Sequence, residues 1–331
     1  LSPLPPIPLL FIPLLPFSLP ATAASLPVTA ALVAALCWTL ASLLWRRLPT
    51  SLSAVQLNLL KNLLAVALQL PFVFGQAWQL PPRGLLLLAL SGVVGIALGD
   101  SLFFAALRRL GTRRALTIDA GGPAFTTLAG VVLLREWPGP AQLVGIALIS
   151  LAVVLVARGA AQSPPGDGSG ARDVEPSSSS QGRLPMGGVL LALGALVCGS
   201  LGALLSRAAL LSGPISPLQA ATLRLAAASL ALLPLAGRIP LRVPRPRPAL
   251  RRWPLLLLAT LIGTSAGIVL QQVALAGLSG GLAVALMSTA PVMALPLAWW
   301  IEGDRPGWRG LFAAIAALAG VSLVVGLPSP L

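Results

Sequence analysis

Ten stretches of 18 to 24 mostly apolar residues follow one another along the chain, parted by connections that hold most of its charge. They run over 27–45, 52–74, 84–107, 114–134, 140–157, 186–206, 217–237, 254–276, 281–301 and 309–326. At 1.5 Å per residue, a helix of this length crosses a hydrocarbon core of about 30 Å. The short alternating strands of a membrane barrel are not written here, because the apolar runs do not alternate. The pattern predicts an all-α fold, a polytopic membrane protein with ten transmembrane helices.

The punctuation of these runs recurs. A shift of 168 residues lays Gly95 on Gly263, Gly99 on Gly267, Pro123 on Pro291, Glu136 on Asp304 and Pro138 on Pro306. At slightly shorter shifts Cys37 to Arg46 lies over Cys198 to Arg207, and Gln56 and Lys61 lie over Gln219 and Arg224. One unit is therefore used twice, and because each unit holds five spans, an odd number, the two enter the membrane with opposite orientation. The expected organisation is an irregular apolar tail over 1–26, whose seven prolines no regular helix accepts, and a first five-helix repeat over 27–157. A disordered linker rich in Ser, Gly, Pro and charge over 158–185 follows, then a second repeat over 186–326 and a tail over 327–331. A signal peptide at the start lacks its basic n-region.

Composition sharpens the class. With 56% hydrophobic and 9% charged residues and a mean hydropathy of +0.92, the 331-residue chain is no water-soluble globule, in which about a quarter of residues carry charge. The net charge of +14 does not point to nucleic acid, because the arginines sit in the connections, where they set topology and meet lipid headgroups. The lipid bilayer is thus the expected partner. Enzyme signatures are missing: there is no phosphate-binding G-x-x-x-x-G-K-[ST] loop, and with no histidine there is neither an H-E-x-x-H zinc site nor a His-based triad. Gly99-Asp100 does not complete an intramembrane aspartyl protease, whose tyrosine partner is lacking from this chain. Cys37 and Cys198 stand at equivalent positions in the two halves and are read as packing residues; no metal and no cofactor is expected.

Charges inside hydrocarbon are costly, so each is a functional candidate. Four qualify: Lys61, Asp100, Asp119 and Arg224. Lys61, the only lysine, shares a helical face with Asn58, Asn62, Ala65 and Gln69, and is expected to meet an acid of the third or fourth span inside the bundle. Asp100 and Asp119 read either as a substrate or proton site or as simple neutralisers of Lys61 or Arg113. In the second half Arg224, Ile268 and Ser288 take the places of Lys61, Asp100 and Asp119, with Gln271 and Gln272 about one turn beyond Ile268. Arg224 suits a ligand carboxylate or phosphate, or else reaches the headgroups. The pairs Gly95/Gly99 and Gly263/Gly267 have the spacing of close helix packing, and Pro123 and Pro291 permit mid-span kinks that could serve as hinges. Glu136 and Asp304, just past span ends, are expected to contact neighbouring helix N-termini and fix the hairpin, more than to touch substrate.

The run from Gly122-Pro123 through Glu136, followed by a helix of small residues from Gly145 to Val153, resembles the EamA family of the drug/metabolite transporter superfamily. Its counterpart runs from Ala290-Pro291 through Glu302-Gly-Asp-Arg-Pro306, with Ala313 to Val321. The chain departs from that pattern in Asp304, where the family has Glu, and in its proline-rich start. The resemblance implies a ten-helix bundle with a central cavity between the halves. It also implies alternating-access export or exchange of small metabolites such as amino acids, nucleosides or other polar compounds. The expected function is a secondary transporter of a small-molecule substrate in the plasma (cytoplasmic) membrane; a channel or a non-transporting scaffold is the alternative. Without an ATPase the protein must use a gradient, exchange or equilibrate its substrate, and Asp100 and Asp119 are the available proton carriers. Seventeen arginines in the odd-numbered connections against three in the even ones predict termini outside the cytoplasm, whereas the family is drawn with cytoplasmic termini.

Overall fold

The second helix of each repeat opens with the same device. The Ser53 hydroxyl accepts from Gln56 N at 3.2 Å while the Gln56 side chain accepts from Ser53 N at 3.0 Å, and Ser216 and Gln219 repeat the exchange at 3.1 and 3.0 Å. Two orphan donors are satisfied at each start, which fixes where helices α2 (Ala54–Val73) and α8 (Pro217–Ala236) begin. The structure, a computed structural model, describes residues 25–46, 52–159, 186–237, 252–302 and 307–325. The expected tails and linker fall almost wholly outside these residues, as do Asp304, Pro306 and the Arg113 side chain.

All described regular structure is helical. Besides α2 and α8 the first half holds α1 (Ser25–Arg46), α3 (Pro82–Ser91), α4 (Ser101–Asp119), α5 (Gly122–Leu134) and α6 (Pro140–Gly159). The second holds α7 (Met186–Leu211), α9 (Arg252–Ala259), α10 (Gly267–Gly277), α11 (Gly280–Met287), α12 (Ala290–Glu302) and α13 (Trp308–Val325). Among the described residues nine stretches are long and apolar enough to span a membrane, and Trp308–Val324 is a shorter apolar helix. The chain is a multi-pass membrane protein.

Two departures from simple spans occur in both repeats. The third span is not α-helical throughout: between α3 and α4 the residues Gly92–Asp100 wind as a π-helix, and Thr260–Ala266 do the same between α9 and α10. The two segments start 168 residues apart, the same shift that relates the repeats. Each widens the helix where a neighbour must come close, and π turns of this kind concentrate at functional places. The fourth and ninth spans are each broken by a two-residue turn, at Ala120–Gly121 and at Ser288–Thr289, two residues before Pro123 and Pro291. The prolines thus sit in the first turn of α5 and α12, where a missing N–H costs nothing. Although α4 is one continuous helical run, it belongs to two apolar spans, Pro82–Leu110 and Arg114–Leu134, and the direction of the chain reverses between them. Gly188 packs on Leu110, yet Gly121 meets Leu196 and Thr126 Oγ1 donates to Ser200 Oγ at 2.8 Å, so the chain runs up one side of α7 and back down the other.

The halves interlock. Helix α7 lies antiparallel along the third span, so close that a Cβ on Gly202 would stand 2.5 Å from Gly95 Cα and one on Gly99 3.4 Å from Gly199 N. Helix α1 repeats this on the eighth span: a Cβ on Gly263 would overlap Ala41, and one on Gly267 would stand 2.5 Å from Trp38 Nε1. The expected small-residue packing of Gly95, Gly99, Gly263 and Gly267 therefore joins opposite halves. Across the axis Gln69 Oε1 accepts from Thr222 Oγ1 at 2.9 Å, tying α2 to α8; Gly145 faces Gly320 between α6 and α13; and Gly281 faces Thr127 between α11 and α5. Backbone against backbone leaves nothing that can yield at Gly202. Gly202→Val is expected to destabilise by about 3 kcal/mol or more, the upper end for overpacking, and to remove the monodisperse peak in detergent chromatography; a native elution profile and melting temperature would contradict this packing.

Candidate ligand-binding cavity

Two adjoining cavities of about 430 and 810 Å³ open between the repeats. Both are walled by Trp38, Trp45, Lys61, Phe103, Asp119 and Gln271. The smaller adds Gly95, Gly99, Asp100, Arg224 and Gly263, and the larger adds an apolar wall that includes Leu57, Leu107, Val156, Met287 and Pro291. The π-helical segments reach the smaller cavity through Gly95, Gly99 and Gly263 together with Ile96, Asp100 and Thr264, so backbone forms part of its wall.

Lys61 is held by two partners. Its ammonium donates to Asp100 Oδ2 at 2.7 Å and to Asn62 Oδ1 at 3.2 Å. Asn62 Nδ2 donates in turn to Asn58 Oδ1 at 3.1 Å, and Asn58 Nδ2 to the carbonyl of Ile96 at 2.8 Å and Ser101 Oγ at 3.1 Å. A continuous polar chain thus runs from the π-helical segment to the ammonium, and it satisfies groups whose burial alone would cost a few kcal/mol each. The Lys61 side chain is 9% exposed and that of Asp100 39%, so the carboxylate keeps a face on the cavity.

Arg224 sits opposite in the repeat and is treated differently. It is 3% exposed, not at the headgroups. Its Nη1 donates to Gln271 Oε1 at 2.9 Å, while its Nε is buried without a partner. No ion pair to it occurs among the described residues. Asp119, at the end of α4 before the break, shows its carboxylate to both cavities and likewise has no ion pair among the described residues.

The structure divides the expected site residues. Lys61, Asp100, Asp119, Arg224 and Gln271 line the cavity. Asn58 and Asn62 do not: fully buried, they brace Lys61 and the π-helical segment from behind. Gln272 also turns away and accepts from Ser206 Oγ of α7 at 2.5 Å. Helical spacing gave their common face but not their depth. Gly95, Gly99 and Gly263 serve packing and wall together, and Pro291 reaches the wall while Pro123 is buried within the turn after Gly121. Cys37 and Cys198 are free, half-buried thiols.

Sequence reasoning missed the aromatic wall. Trp38 donates from Nε1 to the carbonyl of Gly263 at 3.0 Å, in the second π-helical segment. Its repeat counterpart is Gly199, so the internal comparison hides it. It also missed the partner of Glu136. Arg135 closes α5 with a left-handed backbone (φ 56°), and that turn aims Glu136 across the boundary between halves. There Oε1 accepts from Arg207 Nε at 2.9 Å and Oε2 from Gly280 N at 2.8 Å, while Arg207 Nη1 donates to the carbonyls of Leu275 and Ala276. Glu136 does sit at a helix N-terminus, that of α11, yet it fastens four elements rather than its own hairpin.

A crystal structure described only as that of a protein superposes on this fold with a TM-score of 0.68 at 17% identity, over 90% of this chain and 96% of its own. No curated protein matches the sequence. The profile of the EamA-like transporter family matches twice, over residues 25–158 and again over 186–326, one match to each interlocked half. With both matches meeting around a charged cavity inside a helical bundle, the chain belongs to the EamA-like transporter family, and is a membrane transporter of the drug/metabolite type.

Proposed function

We propose that the protein is a secondary transporter, an exporter or exchanger of small polar metabolites, working by alternating access in the plasma (cytoplasmic) membrane. The observation that carries this reading is the convergence of Lys61, Asp100, Asp119 and Arg224, each costly inside hydrocarbon, on one cavity between two inverted halves. Lys61, Asp100, Asp119, Arg224 and Gln271 contact substrate, with Asn58 and Asn62 as positioning residues. The breaks before Pro123 and Pro291 supply equivalent points at which either half can bend, as rocking about a central site requires.

Counterflow tests it. Proteoliposomes preloaded with a mixed metabolite library should accumulate labelled members above equilibrium through exchange. A channel equilibrates label whether or not the vesicles are preloaded, and a scaffold passes none; either outcome removes the reading.

With no ATP-binding loop in the chain, drive comes from a gradient or from exchange, and the carboxylates facing the cavity are the proton carriers. Asp119→Asn is expected to abolish uptake driven by a pH gradient while exchange at equal pH stays within about twofold, a change below 0.5 kcal/mol. The same measurement on Asp100→Asn completes the pair. Unchanged driven uptake in both variants would end proton coupling through this cavity.

A further inference from the structure

The two cationic side chains of the cavity are not equivalent. The Lys61 ammonium is already neutralised by Asp100 at 2.7 Å and bonded to Asn62 at 3.2 Å. Arg224 is 97% buried, spends one N–H on neutral Gln271, and leaves Nε unbonded. A guanidinium presents its donors as a rigid planar fork that fits a carboxylate with two parallel bonds. Asp100 lies near enough to act on its charge, but no carboxylate stands within ion-pair distance of it among the described residues, and an incompletely compensated charge in low dielectric is a costly state. Gly95 lets α7 and Arg224 both come close: a Cβ there would lie 3.0 Å from Gly202 Cα and 3.6 Å from Arg224 Nη2.

The surroundings limit what brings the anion. Arg224 lines only the smaller cavity, whose wall joins the charged Lys61, Asp100 and Asp119 to indole, phenyl and glycine surface, and this opens into the largely apolar larger one. Asp119 stands at the part both share, where its carboxylate disfavours a second anionic group. Resting on the reading of this cavity as the ligand site, we propose that Arg224, and not Lys61, receives the carboxylate of an amphipathic organic monoacid. The apolar body of that acid lies along Trp38, Trp45 and Phe103. Lys61 holds Asp100 in an ion pair and so keeps that carboxylate from competing with the ligand for Arg224.

Purified protein in detergent is titrated with three six-carbon probes, hexanoate, its neutral amide hexanamide and the dianion adipate, following tryptophan fluorescence and thermal stability. Hexanoate should give saturable quenching and a raised melting temperature, adipate should bind at least about tenfold more weakly, and hexanamide should give no saturable signal. Arg224→Gln should weaken hexanoate by about tenfold to a hundredfold, and Arg224→Lys by less. Gln271→Glu, which sets a carboxylate on Nη1 in place of the ligand, should melt no lower than the native protein and yet lose hexanoate, separating lost binding from lost fold. Equal binding of hexanoate and hexanamide, of hexanoate and adipate, or of hexanoate to native protein and Arg224→Gln, would overturn the assignment. No flux is needed: binding without counterflow removes the transport reading and leaves this one, and counterflow with Arg224→Gln unimpaired does the reverse.

Discussion

Lys61→Met is expected to lower counterflow by about a hundredfold or more, the equivalent of roughly 3 kcal/mol, without preventing folding. The pair with Asp100 is short, but the carboxylate side chain is 39% exposed to the cavity, so water can take over part of its solvation when the ammonium goes. The stability loss should therefore be about 1–2 kcal/mol, under the 3–5 expected for a fully buried pair. Transport suffers more, because an unpaired Asp100 either holds water and a counter-ion in the ligand's path or takes up a proton and loses the charge balance of the site. Lys61→Arg keeps the charge but must fit a planar fork where Asn62 now accepts from a compact ammonium at 3.2 Å, and should recover only part of the rate. Lys61→Met/Asp100→Asn should restore the melting temperature and not the transport. Wild-type flux in Lys61→Met would take this residue out of the mechanism.

Glu136→Gln is expected to lower the melting temperature by roughly 5–10 °C and to open one end of the bundle. Both Glu136 oxygens accept, one from Arg207 Nε and the other from Gly280 N. An amide has a single acceptor oxygen, so its NH₂ must face one of these donors. With both side chains only 13–15% exposed, the unpaired Arg207 then costs about 3 kcal/mol. Because this cluster ties the ends of α5, α7 and α10 to the start of α11, its loss should speed maleimide labelling of Ser279→Cys by about fivefold or more, about 1 kcal/mol of opening. A variant that melts like the native protein and labels no faster would show that the ends are held elsewhere.

The internal repeat made much of this fold legible. Glycine pairs and prolines separated by 168 residues announced equivalent close contacts and breaks, and a lone lysine on the polar face of α2 had few acids it could meet, of which Asp100 is the one at hand. What stayed hidden has physical reasons. A π turn inserts residues into the winding without changing hydropathy, so 92–100 and 260–266 read as ordinary apolar helix. Periodicity tells which side of a helix faces inward but not what lies there, and so Asn58, Asn62 and Gln272 read as ligand contacts although they bond to protein. The comparison of halves also favours positions that match, whereas Trp38 against Gly199 is informative because it does not. Arg207 looked like a topology charge at a span end; only the left-handed turn at Arg135 brings it a partner 71 residues away in sequence.

The exchange of first helices between the halves has a consequence for how the protein is made. The groove that receives α1 is formed by the eighth span, and Ala41 meets Gly263 only after 222 further residues have left the ribosome. At about 5–20 residues per second that takes roughly 10–40 s, during which the glycine-matched face of α1 can rest only on lipid or on a membrane chaperone. The same holds in shorter form for the third span, which must wait for α7. The first half is then not a finished body awaiting its twin but an unclosed one, and nascent chains stalled before residue 252 should be substrates of membrane quality control. Supplied as two separate polypeptides divided within 160–185, the halves should be degraded when made singly and should rescue one another when made together.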